Sequence, residues 1–148
     1  VKLAVQNFES GFNCAQSVFL AYSDVFDLDL KMAKNMTVSF GGGVGRMREL
    51  CGSISAMAIL AGFKNTVIDP LDQDARTRNY AMVQKMTEIF RSRNNAIICR
   101  DLMPDHNPAT DPAPSLRTKK YYQTRPCTMY VADAARIAGQ MLNGDLED

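Results

Sequence analysis

Between Cys14 and Phe26 the apolar side chains Cys14, Val18, Ala21, Tyr22 and Val25 recur at the i, i+4, i+7 spacing of one helical face. That period returns along the chain, and no alternating strand pattern of useful length competes with it. Asp29 is placed to cap a second short helix through Val38, which runs into Phe40-Gly41-Gly42-Gly43-Val44-Gly45-Arg46, where the glycines end it. A third helix holds Cys51, Ile54, Ser55, Ala58 and Gly62 on one face and stops near Ala61-Gly62. Asp72 starts the longest helix, with Met82, Val83, Met86, Ile89 and Phe90 as its apolar stripe, and Asn94-Asn95 breaks or bends it.

Ile97, Ile98, Cys99, Leu102 and Met103 form a short helical turn ending at Pro104. Residues 104–125 follow as a proline-rich loop, with prolines at 104, 108, 112 and 114, whose length suggests an ordered loop, a lid or a tether. The last helix starts around Pro126 and aligns Cys127, Val131, Ala134, Ala135, Ala138, Met141 and Leu142. No internal repeat of 20 to 50 residues interrupts this order. The expected architecture is all-α: a single domain over 1–148, a bundle of about five helices.

A chain of 148 residues buries enough surface to fold without disulfides. With 17 basic and 16 acidic side chains the net charge is +1, which gives no overall field toward nucleic acid or an anionic membrane. No stretch reaches the roughly 18 to 20 apolar residues of a membrane span, and Val1 to Glu9 lacks the core of a signal peptide, so the expected location is the cytoplasm. In a reducing compartment four cysteines favour thiols, metal ligands or a catalytic disulfide over structural staples.

Each of the four cysteines, Cys14, Cys51, Cys99 and Cys127, lies on the apolar stripe of its own helix, and no two are close in sequence. A zinc ribbon or a thioredoxin-like site would show Cys-x-x-Cys pairs, so any shared site must be built by tertiary packing. Cys14, Cys51 and Cys127 fall in or near first turns, where free backbone amides and the helix dipole favour thiolate. The same amides suit an anionic iron-sulfur cluster. Four unrelated core cysteines remain the plain alternative, because buried free cysteine behaves as a small hydrophobe.

The segments Asn13-Cys14-Ala15-Gln16-Ser17-Val18, Phe40 to Arg46, Cys51-Gly52, Cys99-Arg100-Asp101-Leu102, and Cys127 with Val131, Ala134, Ala135 and Ile137 resemble the redox-active family named for its C_GCAxxG_C_C pattern. That family is similar to a domain of split-Soret cytochromes c, and the likeness covers almost the whole chain. It implies a redox role and carries the family's four characteristic cysteines onto Cys14, Cys51, Cys99 and Cys127. Where the family's central motif has alanine and glycine, this chain has Ser53 and Ala56. No Cys-x-x-Cys-His sequence is present, so no covalent haem is expected.

The leading expectation is an electron-transfer or redox-sensing protein whose four thiolates bind an iron-sulfur centre. A thiol-disulfide protein, with Cys51 or Cys127 as the attacking thiol, is the first alternative, and a structural zinc or core-cysteine interaction module the second. Gly42, Gly43, Gly45 and Gly52 supply exposed amides for an anion-binding nest facing Cys51. The glycine stretch lacks the Gly-Lys-Ser/Thr ending of a phosphate loop, and no strand precedes it. His106, on the proline-rich loop, is read as a solvated side chain outside the site. Lys119, Lys120, Tyr121 and Tyr122 are read as an ordinary amphipathic surface rather than a nucleic-acid contact. A redox partner protein is expected, and the methionine-rich or tyrosine-bearing surfaces offer a face for a homodimer.

Overall fold

The computed structural model of the chain describes residues 1–105 and 107–147; His106, which the sequence placed as a solvated loop residue, lies outside the described residues. Eight helices follow one another: α1 (Lys2–Glu9), α2 (Cys14–Leu20), α3 (Leu30–Thr37), α4 (Gly52–Lys64), α5 (Gln73–Asn94), α6 (Cys99–Leu102), α7 (Lys119–Thr124) and α8 (Cys127–Leu142). Among the described residues there is no strand, only one antiparallel bridge between Leu50 and Ile98. The fold is all-α, with more helices than the five expected.

Local chemistry fixes most of the boundaries. Asp29 accepts the Met32 amide at 3.0 Å to start α3, and Asp72 accepts the Ala75 amide at 2.9 Å to start α5. Asn95, at φ 65, closes α5 in the left-handed conformation that asparagine tolerates. At the head of α2 a reciprocal capping box forms: Gln16 N–H donates to Asn13 Oδ1 at 2.9 Å, and Asn13 N–H donates to Gln16 Oε1 at 3.2 Å.

Helix α4 runs through the centre. Its residues from Gly52 to Met57 are all buried, and it packs against α2, α8 and α5, while α1 covers α2 and α8. Phe8, Phe19, Met57, Leu60, Met86, Phe90, Ile137 and Met141 fill the core between them. At roughly 1.5–3 kcal/mol for each large apolar side chain removed from water, this set provides the main drive for assembly.

One helix adds to the expected set, and two expectations need correction. Lys2–Glu9 forms a helix, burying Ala4 and Phe8. The segment after Cys14 is not one helix to Phe26: α2 ends at Leu20, a 3-10 turn covers Ser23–Phe26, and Val25 therefore leaves the apolar face and is 60% exposed. The proline-rich stretch is not irregular throughout 104–125, because Thr118 caps α7 by accepting the Tyr121 amide at 3.2 Å.

The irregular part of that stretch is tied down as a strap. Arg46 forms a 3.0 Å ion pair with Asp111 and donates to Ser115 Oγ at 3.0 Å. Arg48 Nε donates to the Ala109 carbonyl at 3.0 Å, and Arg125 donates to Ser115 Oγ at 3.2 Å. Arg117 closes the far end by donating to the carbonyls of Phe8 and Phe12, both at 3.0 Å, while stacking 4.4 Å from the centre of the Phe8 ring.

Candidate functional site

All four cysteines stand at helix starts. Cys14, Cys99 and Cys127 are the first residues of α2, α6 and α8, and Cys51 is the N-cap of α4. The sequence suggested this for three of them; Cys99 joins because α6 begins later than the apolar run that contains it. None is in a disulfide, and Cys51 is the one fully buried.

Two pieces of backbone bring them together. Residues 48–51 lie antiparallel to 97–100: Cys51 N–H donates to Ile97 O at 2.9 Å, and Cys99 N–H donates to Glu49 O at 2.6 Å. This short pairing places Cys51 and Cys99 on neighbouring strands of chain. The glycine stretch then wraps beneath the starts of α2 and α4 as a left-handed turn, with positive φ at every residue from Gly42 through Arg46.

Val44 sits at φ 63, an unfavourable conformation for a β-branched residue that costs roughly 1–2 kcal/mol. It is held by bonds on either side, from Val44 N–H to Phe40 O at 3.3 Å and from Gly45 N–H to Ser39 O at 2.7 Å. Two glycines are required by close approach. A Cβ on Gly43 would stand 2.6 Å from the Glu49 nitrogen and 2.7 Å from Cys99 Cβ, and a Cβ on Gly52 would stand 2.6 Å from Cys14 Sγ. Gly45 faces open space, and Gly42 presents its amide to Cys14.

The result is a cavity of about 480 Å³ lined by all four cysteines together with Gly42, Gly45 and Gly52, four arginines, and apolar groups that include Tyr121 and Tyr130. Pro112, Pro114 and Ser115 of the strap form part of its wall. Tyr130 OH donates to the Leu102 carbonyl at 2.8 Å, locking α8 to α6 and so Cys127 to the Cys99 side.

The electrostatics divide the four thiols. The Cys51 thiol, donating to the Cys14 sulfur, lowers the Cys14 pKa to about 6; burial opposes this, and the amides of Gly42, Ala15 and Gly52 add to the lowering. The same contact pushes Cys51 well above the usual thiol range, with burial and the negative charge of Cys14 acting in the same direction. Burial pushes Cys127 up to about 12, helped by the charges of Cys14 and Cys99. Cys99 is raised by burial, against which the Arg48 guanidinium, 3.8 Å from its sulfur, works. Within the contacting Cys14–Cys51 pair the thiolate is favoured on Cys14, whose sulfur meets the Gly42, Ala15 and Gly52 amides.

Among the described residues no three histidine, cysteine, aspartate or glutamate side chains are arranged to hold a single metal ion. A tetrahedral ion with sulfur ligands at about 2.3 Å would need the sulfurs roughly 3.8 Å apart. Cys14 and Cys51 are in hydrogen-bond contact, but no third side chain among the described residues completes a single-ion set with them. The polar lining of the cavity is four thiols, backbone amides, four guanidiniums and the side chains of Asn13, Ser115, Tyr121 and Tyr130, with no histidine or carboxylate in the described wall. That is the chemistry of an anionic group bound through thiolates rather than of a hard cation.

Fold and site together define an all-α protein in which four helix starts deliver four thiols to one cavity. The chain matches, over residues 12–141, the family described as "Putative redox-active protein (C_GCAxxG_C_C)", and it belongs to that family. No curated protein and no solved structure matches the chain. Among the described residues no helix is long and apolar enough to cross a membrane.

The sequence missed three contributors to this site. Arg48 and Arg125 gave no motif signal, since each acts only through the tertiary placement of its guanidinium. Tyr121, read as surface, lines the cavity. The Asn13-x-x-Gln16 spacing is a capping-box signal that the sequence carries and that the sequence reading did not use; it fixes Cys14 as a first helical residue.

Proposed function

We propose that the protein is a redox protein whose Cys14, Cys51, Cys99 and Cys127 hold an iron-sulfur cluster, most simply a two-iron centre, for electron transfer or redox sensing. The observation that carries this reading is the convergence of four thiols from four helix starts on a single cavity. The number and type of ligands suit such a cluster. When bound, it supplies one-electron chemistry.

The chain's own residues prepare the site for negative charge. The Gly42, Ala15 and Gly52 amides face the Cys14 sulfur, and Arg48 donates to Cys99. Hydrogen bonds of this kind to cluster ligands raise a reduction potential, because they stabilise the more negative reduced form. The strap and the two tyrosines form part of the wall around the sulfurs, of which Cys51 is the buried one.

A second reading is favoured by the contact between Cys14 and Cys51 alone. In that reading the Cys14 thiolate attacks a partner's disulfide, forming a mixed disulfide and releasing one partner thiolate. Cys51, deprotonated, then attacks the Cys14 sulfur, freeing the second partner thiolate and leaving a Cys14–Cys51 disulfide, so two electrons pass to the partner.

The test is an ultraviolet-visible spectrum of anaerobically purified protein, with iron, zinc and acid-labile sulfide measured on the same sample. Broad absorption between about 320 and 460 nm with matching iron and sulfide is expected for a cluster, and Cys14→Ser should abolish it. Colourless protein without iron, whose thiol count falls by two on oxidation, would replace the cluster reading with the dithiol one.

A further inference from the structure

Four arginines reach the cysteine cavity, and their partners differ. Arg46 is neutralised by Asp111 at 3.0 Å, and Arg117 is spent on two backbone carbonyls and three aromatic rings. Arg48 and Arg125 have no carboxylate partner among the described residues. Arg48, only 4% exposed, meets the Ala109 carbonyl and the Cys99 sulfur. Half-buried Arg125 meets a hydroxyl, the Met103 thioether at 3.8 Å and the face of Tyr121 at 5.0 Å.

A guanidinium withdrawn from water without a counter-charge is costly, and a thioether is a weak acceptor. Charge balance sharpens the point. Arg46, Arg48, Arg117 and Arg125 bring four positive charges to the cavity, Asp111 offsets one, and a four-thiolate two-iron cluster in its oxidised form would offset about two more. About one positive charge is left over in the wall, where Arg125 hydrogen-bonds neither a carboxylate nor a thiol among the described residues.

The space has a matching shape. A second cavity, of about 270 Å³, adjoins the first, and both are walled by Arg46, Arg48, Met103 and Arg125, so three guanidiniums form the partition between them. Asp105 lines the second cavity but pairs with none of the three. The first cavity is also lined by Leu102, Met103, Pro112, Pro114 and Tyr121, an apolar lining beside a cationic wall. Such a pairing of apolar volume with a few convergent polar groups is the usual form of a small-molecule site.

We propose that the part of the cavity between the cysteines and the strap binds a small organic anion, with its aromatic or apolar body on Tyr121 and the strap prolines and its anionic group on Arg125. The inference goes beyond the cluster reading and does not require iron, since it rests on the arginine partition and the apolar wall. It places a ligand beside the sulfurs, within the space that the strap encloses.

The probe is 2-naphthoate, compared with the neutral 2-naphthalenemethanol, which has the same rings. Both are titrated by calorimetry into anaerobically purified full-length protein at low salt, with iron and sulfide measured on each sample. The naphthoate should bind at least about ten-fold more tightly, as expected for one charge-assisted hydrogen bond. In Arg125→Gln the preference should fall to within about two-fold, while Arg125→Lys should retain part of it and Arg136→Gln, at the exposed partner of Asp133, all of it.

Equal affinity for the two probes, no binding of either, or an unchanged preference in Arg125→Gln would overturn the proposal. Circular dichroism of each variant guards against reading a folding defect as a lost contact. If Arg125→Gln unfolds, loss of preference in the folded Arg125→Met protein supports the site and retention overturns it. Iron-free protein that still prefers the naphthoate would sink the cluster reading while leaving this one intact.

Discussion

Replacing Gly52 by alanine should disrupt the site at the point where α4 passes under Cys14. The new Cβ would lie 2.6 Å from Cys14 Sγ, 2.7 Å from Phe40 O and 3.2 Å from Ala15 Cβ. Comfortable contacts begin at about 3.5 Å, so the sulfur must retreat by roughly 1 Å, because the Phe40 carbonyl belongs to the backbone and cannot swing away. Gly52 is not in the left-handed region, so alanine suits the backbone and recovers up to about 1 kcal/mol of helix propensity. Overpacking costs about 1–3 kcal/mol, leaving a net loss on the order of 1–2 kcal/mol and a fall in Tm of roughly 2–8 °C.

The chemical effect is larger than the thermal one, because the displaced sulfur leaves the Cys51 thiol and the amides that lower its pKa to about 6. If the pKa returns toward an ordinary 8.5, the thiolate population at pH 6 falls roughly 150-fold. The greater nucleophilicity of a more basic thiolate restores about 10- to 15-fold of this, so alkylation at pH 6 should slow about ten-fold. The assay is the pH profile of iodoacetamide modification at Cys14 in reduced, metal-free protein, read by peptide mass, beside the iron content of protein as purified. A variant with the parent's iron content, the parent's Tm and an alkylation midpoint still near pH 6 would refute the claim that close contact at Gly52 sets the Cys14 environment.

Two further predictions concern stability. In reduced, metal-free protein the depressed Cys14 pKa contributes stability that is fully present above the unfolded value near 8.5 and is lost as pH falls through about 6; the raised Cys127 pKa contributes stability that is present below about 8.5 and is lost as pH rises toward about 12. Urea unfolding should therefore show a maximum near pH 8.5, with Cys14→Ser flattening the acid limb and Cys127→Ser reducing the steepness of an alkaline limb to which the raised Cys51 and Cys99 also contribute; an acid limb that survives Cys14→Ser, or an alkaline slope unchanged in Cys127→Ser, would assign the pH dependence elsewhere. Ser53 Oγ is buried without a partner, so Ser53→Ala should stabilise the protein by about 1 kcal/mol, the desolvation cost of an unmade hydrogen bond less a small void; a loss of stability in thermal unfolding would show that the hydroxyl is satisfied.

Period and capping chemistry made most of the helices legible. Asp29 and Asp72 announced α3 and α5, and the apolar stripe from Cys127 to Leu142 defined α8. Where local signals conflicted with packing, they failed. Val25 fits the periodicity of α2 but lies past a 3-10 turn, and α7 hides in a stretch whose prolines dominate its composition. Helix α1 is eight residues long and buries only Ala4 and Phe8, too few apolar positions for periodicity to speak clearly.

The sequence by itself determined that the protein is helical, that its four cysteines lie on apolar helix faces with three of them near helix starts, and that they resemble a redox family, because periodicity, caps and motifs are properties of short segments. Only the tertiary structure decided that those helix starts meet at one cavity. It also decided that Cys14 carries the lowered pKa, that Arg48 meets the Cys99 sulfur and that Arg125 meets the Met103 thioether, neither with a carboxylate partner among the described residues. Such features arise from contacts such as Arg48 with Cys99 and Tyr130 with Leu102, which join residues far apart in the chain. A thiol's pKa depends on the few ångströms around its sulfur, and that space is filled by whichever segments the core brings together.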